Sequence, residues 1–91
     1  MKITNDVLKT FRYFPYNVRL KKLRCAAGYT QTEFAKKIGC NTTSISMWER
    51  GHAVPSDFAL ARIVECLGIP YEYFLDIDEE RETRNAKKSN I

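Results

Sequence analysis

The chain has 91 residues, of which 44% are hydrophobic and 29% are charged, and it carries a net charge of +4. This length and balance fit one globular domain with a single modest core, and they exclude a disordered chain. No stretch approaches the ~18 to 20 uninterrupted apolar residues that cross a bilayer, and the start, MKITNDVLKTFRYF, lacks the apolar run of a signal peptide, so we expect a cytoplasmic protein without a membrane partner.

The first 15 residues form an N-terminal extension. Val7, Leu8, Phe11 and Phe14 recur at loosely helical spacing, but Pro15 interrupts the pattern before the first strongly periodic helix begins. We therefore expect this extension to add a turn or two of helix against the core.

Residues 16–75 contain apolar stripes with helical spacing. All four glycines follow such a stripe, at the place where a left-handed residue closes a helix. No alternation with period two is long enough to predict a strand, so the fold class is all-α. The stripes are Tyr16, Leu20, Leu23 and Ala27; Phe34, Ala35 and Ile38; Ile45 and Trp48; and Leu60, Ile63, Val64 and Leu67.

Helix start signals agree with these stripes. In YTQTEF, Thr30 can cap the following helix while Glu33 reaches back to the amide of Thr30, which is a capping box. Asn41 and Ser56 are good N-caps for the third and fourth helices. Pro70 opens a short fifth segment, YEYFL, so we predict five helical segments within residues 16–75.

The last stretch, DIDEERETRNAKKSNI over residues 76–91, is charged and has no apolar periodicity. We expect a mobile segment there, or at most an exposed helical tail. This tail carries a net charge of −1, so the positive balance lies in residues 1–75. An anionic partner for the folded part is consistent with that distribution.

The chain lacks the residue sets that catalysis and metal binding need. Cys25, Cys40 and Cys66 are too widely spaced for a zinc site, and we expect reduced, partly buried thiols. The sequence has one histidine and no glycine-rich phosphate loop. We therefore predict no enzyme, no catalytic or metal-binding residues and no cofactor.

The stretch TQTEFAKKIGCNTTSISMWERG reads as two short helices joined by a tight turn. Ala35 is small where the helices would cross, Gly39 permits the turn, and Ile45 and Trp48 would hold the angle of the pair. The pattern resembles the helix-turn-helix of the lambda repressor and Cro type, the xenobiotic-response-element family of regulators. The resemblance extends over residues 16–75, through LKKLRCAAGYTQTEFAKKIG, ISMWERG with VPS, and LARIVECLGIPYEYFL.

The resemblance implies a compact five-helix DNA-binding domain over residues 16–75. In that family the second and third helices bind double-stranded DNA, and homodimers bind two-fold symmetric operators. We therefore expect a sequence-specific transcriptional regulator, a repressor, that inserts the helix around residues 42–50 into the major groove.

The third helix divides into two faces at about 100° per residue. Ile45, Trp48 and Glu49 share the inward face. The residues on the outward face could simply be solvated. Alternatively, their hydroxyl and methyl groups could reach base edges or phosphates of DNA. The predicted DNA-contacting residues of this helix are Thr42 at its entry, then Thr43, Ser46, Met47 and Arg50.

Further DNA contacts are expected around the helix pair. Gln31 begins the second helix, and its family counterpart contacts a phosphate, so we expect the same here. The exposed amides of that helix terminus would assist. Lys36, Lys37, Arg50 and His52 could neutralise phosphates without reading sequence, or could simply be solvated.

Arg24 and Glu49 match a family pattern that pairs a basic residue of the first helix with the glutamate of WERG. We predict a largely buried ion pair that ties the first helix to the third, and a structural rather than catalytic role for Glu49.

The roles of three aromatic residues near the end of the folded part stay open. They could pack in the core or form a self-association surface, and they are Tyr71, Tyr73 and Phe74.

An alternative function also stays open. The protein could be an antitoxin-like module that neutralises a toxin or another regulator and represses its own operon. Such a partner could dock on the N-terminal extension or the tail, and nothing in residues 30–51 separates this alternative from the first function.

Overall fold

The computed structural model describes residues 3–74, 76–77 and 81. Within these residues there are five α-helices with defined bounds, residues 76, 77 and 81 are also helical, and there is no strand, which confirms the all-α fold class. No helix in this part of the chain is long and apolar enough to span a membrane. The elements are α1 (Asn5–Phe11), α2 (Tyr16–Ala26), α3 (Gln31–Ile38), α4 (Thr42–Glu49), α5 (Asp57–Leu67) and a 3₁₀ helix (Tyr71–Phe74).

The five α-helices are not the five that were predicted within residues 16–75. The first four predicted helices are α2 to α5, and the differences lie at the two ends of the chain. The N-terminal extension contributes α1, and Val7, Leu8 and Phe11 pack partly buried against the core. The segment after Pro70 is a 3₁₀ helix rather than an α-helix. Only four residues lie in it, and so short a segment can close the tighter i→i+3 hydrogen bonds.

Three helices, α3, α4 and α5, begin at the predicted caps. Thr30 Oγ1 accepts a hydrogen bond from the Glu33 amide at 3.1 Å, and Glu33 Oε1 accepts one from the Thr30 amide at 2.9 Å. The side chains of Asn41 and Ser56 accept from the amides at the third helical positions of α4 and α5. These local bonds satisfy donors that would otherwise lack a partner.

One core holds the helices together. α4 packs against both α2 and α3, and α5 packs against α3. Burying the apolar side chains between these helices supplies the main favourable free energy of folding for a domain this small. The most deeply buried residues are Leu20, Leu23, Phe34, Ile45, Leu60, Ile63, Phe74 and Ile77.

The segment after the 3₁₀ helix does not start as a free tail. The Ile77 side chain is 1% exposed, and the carboxylate of Asp76 lies 2.7 Å from the Arg19 guanidinium. Arg81 donates to Asp57 at 2.7 Å. Residues 76, 77 and 81 are helical, which agrees with the predicted alternative of a helical tail. The burial of Ile77 was not predicted, because one apolar residue among charges has no periodicity to reveal it. The rest of that prediction concerns residues 78–80 and 82–91, which lie outside the described residues.

The structure bears on two further sequence-based interpretations, the aromatic residues after Pro70 and the cysteines. Phe74 is a core residue, and Tyr73 is half-buried with its hydroxyl donating to the Leu8 carbonyl oxygen at 2.6 Å. Tyr71 is exposed. Cys25 is exposed and not partly buried as expected, because it lies on the solvent side of α2.

Candidate nucleic-acid interface

The turn between α3 and α4 sets the geometry of the helix pair. Gly39 ends α3 with φ of 75°, in the left-handed region that an L side chain rarely adopts. The Cys40 amide then donates to the Ala35 carbonyl oxygen at 2.9 Å. Ala35 is 3% exposed, so the small side chain lies in the interior as the motif predicts. Burial raises the pKa of the Cys40 thiol beside this turn.

The inward face of α4 is apolar apart from one carboxylate. Ile45 is fully buried, and Trp48 and Glu49 are 8% and 6% exposed. These three residues follow the helical period that the sequence predicts. α4 is therefore held by its inner face against α2 and α3.

The outward face of α4 carries short polar and flexible side chains. Thr42, Thr43, Met47 and Arg50 are exposed, and Met47 is 38% exposed. Ser46 is half-buried, and its carbonyl oxygen accepts from Arg50 Nε at 3.4 Å. Four of the five predicted residues therefore form a solvent-facing strip, and Ser46 lies half-buried on the same side of the helix.

Buried charges lie directly behind this strip. Arg24 Nε donates to Glu49 Oε2 at 2.6 Å, and Arg24 Nη2 donates to Glu49 Oε1 at 3.1 Å. The predicted ion pair is thus present, and its side chains are 8% and 2% exposed. The hydrogen bonds with Glu49 raise the pKa of the Arg24 guanidinium despite the opposing effect of burial. A third bond, from Arg24 to the Tyr29 carbonyl oxygen at 2.7 Å, reaches the start of α3.

Gln31 lies at the start of α3 and is half-buried. Its side-chain nitrogen donates to Glu49 Oε1 at 3.1 Å, a contact that the sequence analysis did not predict. The residue therefore links the first turn of α3 to the last turn of α4. No local pattern signals this bond, because the partners are 18 positions apart.

The remaining predicted cations do not form one cluster. Lys36 and Lys37 are exposed in the last turn of α3, and Lys37 lines a cleft with Arg62 of α5. His52 is exposed just after α4, and its amide donates to the Met47 carbonyl oxygen at 2.9 Å. Arg50 thus belongs to the outward strip of α4 and His52 follows it in the chain, whereas Lys37 lies toward α5.

Comparisons with known proteins agree with this geometry. A helix-turn-helix family profile matches residues 20–74. Over 61 residues the chain is 34% identical to the HTH-type transcriptional regulator ImmR of Bacillus subtilis (strain 168). The alignment covers 67% of this chain and 48% of that protein, so the chain spans about half the length of the curated relative it matches.

A solved structure shares the fold. The crystal structure of the clp gene regulator ClgR from Corynebacterium glutamicum superposes with a TM-score of 0.60, over 90% of this chain and 84% of that one. The two sequences are 20% identical, so this likeness concerns the fold alone. Taken with the profile match, the motif geometry leads to one conclusion: this chain belongs to the helix-turn-helix family of the lambda repressor and Cro type, the xenobiotic-response-element family.

Proposed function

We propose that this protein is a sequence-specific transcriptional regulator, a repressor, that binds double-stranded DNA by inserting α4 into the major groove. The observation that supports this most is the outward strip of α4. Thr42, Thr43, Met47 and Arg50 remain exposed while the opposite face of the same short helix is almost fully buried. A helix held in this way can enter the major groove, which is about 12 Å wide.

Phosphate contacts would supply most of the affinity. Arg50 is the last residue of the strip and His52 follows it, while Gln31 begins α3, where exposed backbone amides and the helix dipole favour an oxyanion. Lys36 and Lys37 would add weaker, sequence-independent attraction.

Base reading by this helix would be modest. Its outward strip has no Gln, and the side chain of Asn41 is engaged in capping α4. Hydroxyl and methyl groups would then discriminate bases by less than the ~1 to 3 kcal/mol of a good bidentate contact. DNA shape would supply part of the specificity.

We further propose that the protein acts as a homodimer. A two-fold symmetric pair would place its two copies of α4 about 34 Å apart, one helical turn of DNA. Sedimentation velocity with and without operator DNA tests this, and a complex of one chain per duplex contradicts it.

Fluorescence anisotropy against genomic fragments tests the main proposal. Binding should prefer some fragments, and affinity should fall steeply between about 50 and 200 mM salt because phosphate contacts release counterions. The double substitution of Thr43→Glu and Met47→Glu should abolish binding while leaving the circular dichroism spectrum unchanged. Binding with no fragment preference and no salt dependence would contradict the proposal.

A second candidate is a protein-binding module that neutralises a partner and represses its own operon. The observation that favours it is an open groove of about 770 Å³ beside α1 and α2, which is lined by Phe11, Val18, Ala26 and two lysines and reaches Glu49 at the end of α4. Tyr13, at the nearby end of α1, is 91% exposed. These aromatic and apolar groups lie outside the outward strip of α4.

Co-expression with the products of neighbouring genes tests this candidate. A partner that binds in fixed stoichiometry, is lost with Val18→Arg and survives the Thr43→Glu and Met47→Glu double substitution would support it. A neighbouring product that binds equally well to the Val18→Arg variant would contradict docking at this groove.

A further inference from the structure

The side chain of Gln31 is connected to the buried ion pair behind α4. Glu49 Oε1 accepts from Gln31 Nε2 and from Arg24 Nη2, both at 3.1 Å. Glu49 Oε2 accepts from Arg24 Nε at 2.6 Å. One carboxylate therefore contacts a buried guanidinium on one side and, on the other, a residue at the start of α3.

This contact determines which way the Gln31 amide is turned. An ionised carboxylate can only accept hydrogen bonds, so the amide must present its nitrogen, and not its oxygen, to Glu49. The second hydrogen on Nε2 has no acceptor among the described residues. Gln31 is only half-buried, so this hydrogen can meet a group from outside the protein.

Arg24 removes an electrostatic obstacle to an anionic partner there. A phosphate beside Gln31 would also lie near the Glu49 carboxylate, and two anions at that distance repel. The bidentate contact with Arg24 offsets the charge of Glu49 and satisfies both of its oxygens.

We propose that Glu49 is a positioning residue for DNA binding: it orients the Gln31 amide so that the free Nε2 hydrogen donates to a backbone phosphate, while Arg24 neutralises the carboxylate. This inference rests on the proposed DNA-binding function. It assigns to Glu49 an indirect contribution to DNA affinity in addition to its part in the fold.

The direction in which Glu49→Gln changes DNA affinity distinguishes this proposal from a purely electrostatic effect. Removing a negative charge from a DNA-binding face should raise affinity for DNA. The proposal predicts the opposite for Glu49→Gln, because the introduced amide can offer either its oxygen or its nitrogen and no longer dictates the orientation of Gln31. We expect Glu49→Gln to weaken binding by about three- to tenfold, within the range for losing the net contribution of one typical hydrogen bond. Glu33→Gln, a neutralisation in the first turn of α3, is the matched control and should leave affinity equal or higher.

The experiment is a double-mutant cycle on DNA affinity with Gln31→Ala, Glu49→Gln and the double variant. The probe is a random-sequence duplex of about 20 base pairs at low salt, since phosphate contacts are independent of sequence. Each variant is measured at a temperature where its melting curve shows it folded. In the Gln31→Ala background, Glu49→Gln should change affinity by less than about twofold, within the usual limit of additivity.

The outcomes are distinct. An equal loss from Glu49→Gln in both backgrounds means that Glu49 acts only through the fold, and it overturns the inference while leaving DNA binding intact. A wild-type protein that does not bind the duplex overturns the proposed function itself, and this inference with it.

A second measurement applies even if Glu49→Gln fails to fold. In ¹⁵N-correlated spectra of the wild-type protein, adding the duplex should shift one side-chain amide proton of Gln31 more than the proton bonded to Glu49. Backbone shifts in α4 without any shift of the Gln31 side chain would overturn the inference.

Discussion

At the scale of single residues, Arg24 contributes to stability because it pairs with the buried carboxylate of Glu49. Its guanidinium makes two hydrogen bonds to the Glu49 carboxylate and one to the Tyr29 carbonyl oxygen. We expect Arg24→Met to lower the free energy of unfolding by about 3 to 5 kcal/mol, because it leaves the carboxylate buried without its partner. Urea denaturation followed by circular dichroism measures the change.

The control for Arg24→Met also removes the Glu49 carboxylate that this substitution would leave unpaired. A variant with both Arg24→Met and Glu49→Leu should recover most of the lost stability, since an apolar pair can replace a buried ion pair at little net cost. A double variant as unstable as the single one would contradict this explanation.

Arg50 is exposed at the end of α4, where we propose that it neutralises a phosphate. Arg50→Ala should weaken DNA binding uniformly across sequences and reduce the slope of log affinity against log salt by about 1. Lys9→Ala, on an exposed position of α1, should leave the slope unchanged. A changed base preference with an unchanged slope would instead indicate that Arg50 reads a base.

At the scale of elements, the start of α3 depends on a titrating group. Hydrogen bonds from the Thr30 backbone and side chain hold the pKa of the Glu33 carboxyl below its ordinary value. A lowered folded pKa stabilises the protein above the ordinary carboxyl pKa of about 4.3, and this contribution is lost as pH falls through the folded pKa.

The titration of Glu33 gives a testable pH dependence. Glu33→Gln can keep a capping hydrogen bond but cannot titrate. On lowering the pH from about 6 to 3, across the carboxyl pKa, wild-type stability should therefore fall more than that of Glu33→Gln. Urea denaturation at each pH measures this, and parallel curves would contradict the role of the carboxyl.

The turn between α3 and α4 requires a left-handed residue at Gly39, where φ is 75°. Space is not the obstacle, because the nearest atom to an added Cβ would be on the Arg62 guanidinium at 3.7 Å. Gly39→Ala should therefore cost about 1 to 2 kcal/mol of unfolding free energy from backbone conformation alone. Gly39→Asn should cost less, since asparagine visits this region more readily, and thermal melting of both variants compares them. Equal losses would indicate a steric cause instead.

At the scale of the whole molecule, Arg19 joins segments from both ends of the chain. It is 5% exposed and donates to the carbonyl oxygens of Phe14 and Tyr73 and to both carboxylate oxygens of Asp76. The N-terminal extension and the segment after the 3₁₀ helix are thus connected through one residue of α2. This arrangement extends the core beyond the residues 20–74 that the family profile matches.

Ile77 tests whether the segment after the 3₁₀ helix belongs to the folded domain. Its side chain is 1% exposed, so Ile77→Ala should lower the free energy of unfolding by about 2 to 5 kcal/mol, as other large-to-small core substitutions do. Tyr13→Ala, at a 91% exposed apolar residue, is the control and should stay within about 0.5 kcal/mol. An Ile77→Ala variant as stable as the wild type would show that this segment contributes nothing to the core.

The sequence by itself determined the features that depend on neighbouring residues. The caps at Thr30 and Asn41, the glycine ending α3 and the two faces of α4 follow from hydrogen bonds and periodicity within about four positions. The helix-turn-helix family followed from the same local pattern, because its motif is a single short run of residues.

Apart from the Arg24–Glu49 ion pair, which the family resemblance implied, only the tertiary structure decided contacts between distant parts of the chain. The bond between Gln31 and Glu49 spans 18 positions, and the pair of Arg19 and Asp76 spans 57. Neither has a local signature, since each depends on which side-chain rotamer a packed neighbour allows. The burial of Ile77 was hidden for the same physical reason: one apolar residue among charges joins the core only when a surface formed by other helices is there to receive it.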